Sequence, residues 1–141
     1  MIGHIGFYVD DLQKSDKFYR PLLEVIGYEV IFSLPQCIAY GYNGIPLFEI
    51  YSGKQASSGI HLAFLVKDKK TVDTFHSVAL SLGGKDNGKP GYREYTPSYY
   101  ASFIIDPNGH NLEAFLEYKH LLLKGIEMLP DDFEIKQEPP N

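Results

Sequence analysis

The sequence predicts an α+β fold built from two tandem copies of one strand–helix–three-strand (βαβββ) module, and three observations carry that reading. Sliding the chain on itself by 57 residues aligns His4 with His61, Phe7 with Phe64, Val9 with Val66, Asp11 with Asp68, Asp16 with Asp73, Phe18 with Phe75, Leu23 with Leu80 and Gly27 with Gly84. These are eight identities in 26 positions, where average composition gives about one or two. Each copy opens with apolar alternation and then changes to helical spacing. Each also closes on a strong hairpin turn.

In the first copy Ile5, Phe7 and Val9 alternate along a strand. Asp10 or Asp11 caps a helix whose apolar positions Leu12, Tyr19, Leu22, Leu23 and Ile26 keep helical spacing until Gly27 stops it. Three strands follow at about 28–34, 37–42 and 46–51, with Asn43-Gly44 as the hairpin signal between the last two. The second copy repeats the plan: Leu62, Phe64 and Val66 on a strand, then a helix from about Lys69 to Leu82 carrying Val72, Phe75, Ala79 and Leu82. Its hairpin joins "YYASFII" to "HNLEAFLE" through Asp106-Pro107-Asn108-Gly109, which has Pro and Gly where a type I turn with a bulge needs them. The stretch "GGKDNGKPGYREYTPS", Gly83 to Ser98, reads as a loop with one short strand at most. Module one therefore spans about 1–51, a hydrophilic linker 52–59, and module two about 60–118; residues 119–141 are expected to form a short helix and a loose acidic tail.

Composition removes several function classes. Net charge is -5 and no window concentrates Lys and Arg, so the electrostatic footprint of nucleic-acid binding is missing. No apolar run approaches the roughly 20 residues of a membrane span. The first strand is under way by Ile2, which leaves no room for a signal peptide, and a cytoplasmic location is expected. The single cysteine, Cys37, reads as a small apolar filler in a strand.

Strand parity then decides which polar side chains share a face. If Ile5, Phe7 and Val9 lie under the helix, His4, Gly6 and Tyr8 face the other way, and the same parity separates His61, Ala63 and Leu65 from Leu62, Phe64 and Val66. Glu49 lies between Phe48 and Ile50, and Glu113 between Leu112 and Ala114, so each carboxylate takes the face opposite its apolar neighbours. Singly, each residue is ordinary: a strand histidine or glutamate is usually satisfied or solvated. Duplication at matching places is what points to a shared metal site, because ionisable groups on a concave face cost several kcal/mol unless paired or metal-bound. Two imidazoles and two carboxylates suit Zn, Ni, Co, Mn or Fe(II), with positions left for a chelating substrate. Tyrosines 8, 40, 42, 51, 92, 99 and 100 offer stacking surfaces, Arg93 a partner for a substrate carboxylate. His76, on the second helix, and His110, in the turn, are expected at the surface.

The segments "GHIGFYVDDLQKSDKFYRPLLEVIGY", "IPLFEIY", "GIHLAFLVKD" and "YYASFIIDPNGHNLEAF" resemble the vicinal oxygen chelate superfamily. That group includes lactoylglutathione lyase (glyoxalase I), extradiol dioxygenases, fosfomycin-modifying enzymes and bleomycin-binding proteins. The resemblance covers about residues 1–118 and is most similar, in its "DPNGHNLEA" turn and the loop before it, to small bacterial glyoxalase-like proteins. It implies two βαβββ modules forming a cupped mixed sheet with helices outside, a divalent metal held by His4, Glu49, His61 and Glu113, and a homodimer. In the lyase pattern Glu113, or Glu49, moves the substrate proton; in the dioxygenase and fosfomycin patterns only His4, His61 and Glu113 are needed. The function implied is a metal-dependent lyase or isomerase of the lactoylglutathione lyase type. Its small substrate chelates through adjacent oxygens, with Tyr8, Arg93 and Tyr99 as substrate-binding residues. Two alternatives stay open: a non-catalytic binding protein of the bleomycin-resistance type, and an extradiol dioxygenase, which needs a further His and Tyr in the site.

Overall fold

Two aspartates at equivalent points of the repeat start the two long helices. In a computed structural model, which describes residues 2–53 and 56–123, Asp11 accepts the Lys14 N–H at 2.9 Å. Asp68 accepts the Thr71 N–H at 2.7 Å and its hydroxyl at 2.8 Å. Both are side-chain caps on otherwise orphaned helical donors. Between them the first module runs β1 (Ile5–Val9), α1 (Leu12–Val25), β2 (Glu29–Leu34), β3 (Cys37–Tyr42) and β4 (Ile45–Ser52). The second runs β5 (His61–Leu65), α2 (Lys69–Ser81), β6 (Lys85–Tyr92), β7 (Tyr100–Ile105) and β8 (Asn111–Leu116), followed by α3 (Tyr118–Leu123). Helix α1 ends at Gly27 (φ 82°), with the Tyr28 N–H returning to the Leu23 carbonyl at 3.0 Å. Helix α2 is one residue shorter, 13 against 14, so the left-handed position falls on Gly83 (φ 96°) and not on the aligned Gly84.

Each module closes its own four-stranded mixed sheet, in the orders β1-β4-β3-β2 and β5-β8-β7-β6. The first and last strands of each module pair in parallel, and the other neighbours are antiparallel. Registers repeat with the topology: Gly6 lies opposite Glu49, and Ala63 opposite Glu113. The hairpin turn uses Asn43 (φ 52°) and Gly44 (φ 73°), the left-handed pair that matches strand twist.

The helix-bearing faces of both sheets bury one common core. Phe7, Tyr19, Leu22, Phe48 and Ile50 of module one join Phe64, Phe75, Leu112 and Leu116 of module two; Phe48 meets Phe64 edge-on at 6.3 Å. Polar contacts cross the same seam. Tyr19 donates its hydroxyl to Asp106, Asn108 donates to the Ser15 hydroxyl at 3.3 Å, and the His110 ring lies 4.2 Å from that of Phe7.

Three expectations need correction or limits. The Gly83–Ser98 stretch is not mainly loop: Lys85–Tyr92 forms an eight-residue strand against β7. Its Gly and Pro residues are accommodated because β6 is an edge strand with two register shifts, where a missing N–H can face outward. His76 and His110 are not at the surface but 7% and 0% exposed. His76 Nε2 is tied to Asp86 at 2.9 Å, and His110 Nδ1 accepts the Ile60 N–H at 3.3 Å. The expected C-terminal helix begins as α3, while residues 124–141, where the tail was read, lie outside the described residues, as do 54 and 55 of the linker. Beyond them Ser57 returns to β1, donating its N–H to the Tyr8 carbonyl at 3.0 Å. Among the described residues no helix is long and apolar enough to cross a membrane.

Candidate functional site

The parallel register places a histidine two residues upstream of the position opposite a glutamate, once in each sheet. His4 precedes Gly6, which faces Glu49, and His61 precedes Ala63, which faces Glu113. Period-two alternation aims all four side chains away from the shared core. The two pairs form as that geometry requires: His4 Nε2 is 3.8 Å from Glu49 Oε2, and His61 Nε2 is 3.1 Å from Glu113 Oε2. Both carboxylates are buried, Glu49 6% and Glu113 3% exposed, whereas the histidine side chains are about half exposed.

Each carboxylate also has a tyrosine. Tyr51 donates to Glu49 Oε2, and Tyr99 donates to Glu113 Oε1 at 2.7 Å. The hydrogen bond to Glu49, with burial behind it, raises the Tyr51 phenol well above its usual range; burial first, then the bond to Glu113, does the same for Tyr99. Both phenols therefore remain donors at neutral pH.

Asn111 adjusts the second pair. Asn87 donates to its side-chain oxygen at 3.1 Å, which turns the Asn111 amide toward His61 Nδ1, 2.9 Å away. The Asn111 backbone carbonyl also lies 3.2 Å from Nδ1. The ring therefore has both a donor and an acceptor beside Nδ1, so either neutral tautomer is supported. With the proton on Nδ1 and given to the carbonyl, Nε2 keeps its lone pair beside a buried carboxylate. An imidazole lone pair beside a carboxylate is a donor pair of the kind that suits a divalent cation, and Asn111 would orient such a ring.

The two pairs do not come together within one chain. Among the described residues, no three His, Cys, Asp or Glu side chains form a group able to hold a metal ion. Of the substrate-binding candidates, Tyr99 contacts Glu113, while Tyr8 is half exposed beside Tyr51, their rings 5.8 Å apart. Arg93 is already engaged: its guanidinium donates to the carbonyls of Lys89, Gly91 and Tyr92 and lies over Phe103 at 5.3 Å. Sequence reasoning had not connected Asn111 and Tyr51 to the pairs. The signal was there, since each sits two residues from its glutamate on the same strand face.

Comparison with known proteins agrees with this fold. A glyoxalase/bleomycin resistance protein from Albidiferax ferrireducens is 26% identical with a TM-score of 0.72, over 82% of this chain and 97% of that one. A glyoxalase-related enzyme from Fulvimarina pelagi (21% identity, TM-score 0.66, 84% and 88% covered) shares the fold. So does a genomically encoded fosfomycin resistance protein, FosX, from Listeria monocytogenes (21%, 0.64, 83% and 93%). No curated protein matches the chain. The family model for the Glyoxalase/Bleomycin resistance protein/Dioxygenase superfamily matches residues 1–114, the span that contains both His–Glu pairs, and the chain belongs to that superfamily.

Proposed function

We propose that this protein is a metal-dependent enzyme of the lyase or isomerase type, moving a proton on a small substrate that chelates through adjacent oxygens. The observation that carries the reading is the duplicated pair: a half-exposed imidazole beside a buried carboxylate at equivalent register positions in both sheets. Members of the superfamily typically use divalent metals, and His4, Glu49, His61 and Glu113 are the residues that would hold one here. A bound divalent cation would supply Lewis-acid polarisation of the two substrate oxygens, making the adjacent carbon acidic.

This chain's own residues supply the rest. Glu113, held by Tyr99 through Oε1, presents Oε2 as the base that takes the carbon-bound proton and returns it to the neighbouring carbon. Asn111 fixes the His61 ring. Because the two pairs lie apart in one chain, the complete site joins His4 and Glu49 of one copy to His61 and Glu113 of another in a two-fold homodimer, the commonest closed assembly.

Metal content of protein purified without chelators tests the reading directly, together with turnover of Glu113→Gln. The amide keeps the size of the carboxylate but cannot accept the proton, so turnover is expected to fall by roughly 10²–10⁴, with the fold intact. His61→Ala is expected to lose the metal itself. Protein that binds no divalent metal, or Glu113→Gln with full turnover at full occupancy, would remove the proposal.

A further inference from the structure

A groove of about 530 Å³ adjoins the first pair, within the size range of small-ligand sites. The open face of the first sheet supplies Tyr8, Cys37 and Tyr51, the end of β2 supplies Leu34 and the β2–β3 turn Pro35 and Gln36, with Ser52 completing the lining. Tyr51 joins it to the pair, because the same ring that lines the groove donates to Glu49.

Two glycines shape this surface. A Cβ on Gly6 would come within 2.6 Å of the Tyr51 ring, and one on Gly53 within 2.4 Å of the Tyr8 ring. Only with glycine at both places do the two rings lie down over the backbone. Leu34 and Tyr8 meanwhile leave 56% and 51% of their surface exposed beside the first pair. Among the described residues the lining carries no charged side chain, and burial raises the Cys37 thiol, which stays neutral.

Resting on the function proposed above, we infer that the groove is the subsite for the non-reacting body of the substrate, and that this body is an uncharged aromatic group. An aryl ring meets two tyrosine faces and a leucine there, whereas an anionic peptide conjugate finds no cation among the described lining residues to pair with its carboxylates. The substrate class is then a neutral aryl α-hydroxycarbonyl compound, with its adjacent oxygens directed to the Glu49 end.

Three probes test this by calorimetric titration of the full chain, metal-free and zinc-loaded: 2-hydroxyacetophenone, hydroxyacetone, and S-methylglutathione as the anionic peptide. The aryl compound is expected to bind at least about tenfold more tightly than hydroxyacetone in both forms, from the apolar area its ring buries. Leu34→Asp, a change at the exposed end of β2, should bring that ratio close to one without altering zinc affinity. Gln36→Lys should improve binding of S-methylglutathione. Equal binding of the two ketones, tighter binding of S-methylglutathione by the wild type, or an aryl preference that survives Leu34→Asp would overturn the assignment. Zinc uptake without aryl preference removes the subsite and leaves the metal reading standing; aryl preference without zinc uptake does the reverse.

Discussion

Glu113 has two oxygens and a partner for each, Tyr99 on Oε1 and His61 on Oε2. A carboxylate that is 3% exposed depends on those partners, since a buried acceptor that loses its donor keeps its desolvation cost. Tyr99→Phe is therefore expected to lower stability by about 1–3 kcal/mol, read as a shift in the urea midpoint at unchanged slope. An unshifted midpoint would mean that water replaces the phenol without loss. The four histidine and glutamate ligand candidates were legible because parity and repetition are local properties of the sequence. Tyr99 was readable as a substrate-binding candidate but not as the donor to Glu113. It precedes β7 at the end of an irregular stretch, and no periodicity says where such a ring points. His110 shows the converse. A turn position implied exposure, but Asp106 Oδ1 accepts the N–H groups of both Asn108 and His110 at 2.9 and 2.7 Å, and while Pro107 and Gly109 stay exposed, the His110 ring is buried against Phe7 of the other module.

At the scale of elements, the helices were readable almost to the residue, because cap and stop signals coincide with the change of apolar period. Helix α1 continues through Pro21, where a rule based on proline alone ends it; the buried Leu22 and Leu23 beyond show that core burial outweighs the lost backbone bond. Strand β6 failed to announce itself for the opposite reason. Its pairing with β7 is a tertiary fact, and Gly88, Pro90 and Gly91 give it no strand propensity of its own. The caps allow a quantitative check. Asp68→Ala removes the acceptor for both groups of Thr71 and is expected to cost about 1 kcal/mol in chemical denaturation. A change well below that would assign the start of α2 to core packing alone.

For the whole molecule, the proposed assembly across two copies has an arithmetic consequence. In a mixed dimer of His4→Ala and His61→Ala chains, one shared site carries both lesions and the other carries none. Mixing two metal-free variants should therefore restore bound metal to about a quarter of the sites after random exchange; no recovery in a proven mixed dimer would show that the pairs do not meet across copies. Acid sensitivity belongs to this scale as well, because His110 sits at the seam between modules. Burial holds its pKa below the ordinary value, against the opposing pull of the Asp106 carboxylate. The unfolded chain therefore takes up a proton that the native chain refuses, so the stability tied to the neutral ring is complete above about pH 6.5. It is lost as pH falls from there toward the folded-state pKa. His110→Gln should flatten the decline in urea midpoint between about pH 7 and pH 5, and an unchanged decline would place the acid sensitivity elsewhere. The hydroxyl of Tyr19 and the carboxylate of Asp106, which close this seam, stand 87 residues apart in the chain. Joining them encloses most of the protein in one loop, an entropic step that comes ahead of its reward and slows folding. That one contact can close only once Asp106, late in the second module, has been made, whereas Phe64 reaches Phe48 much earlier in the chain.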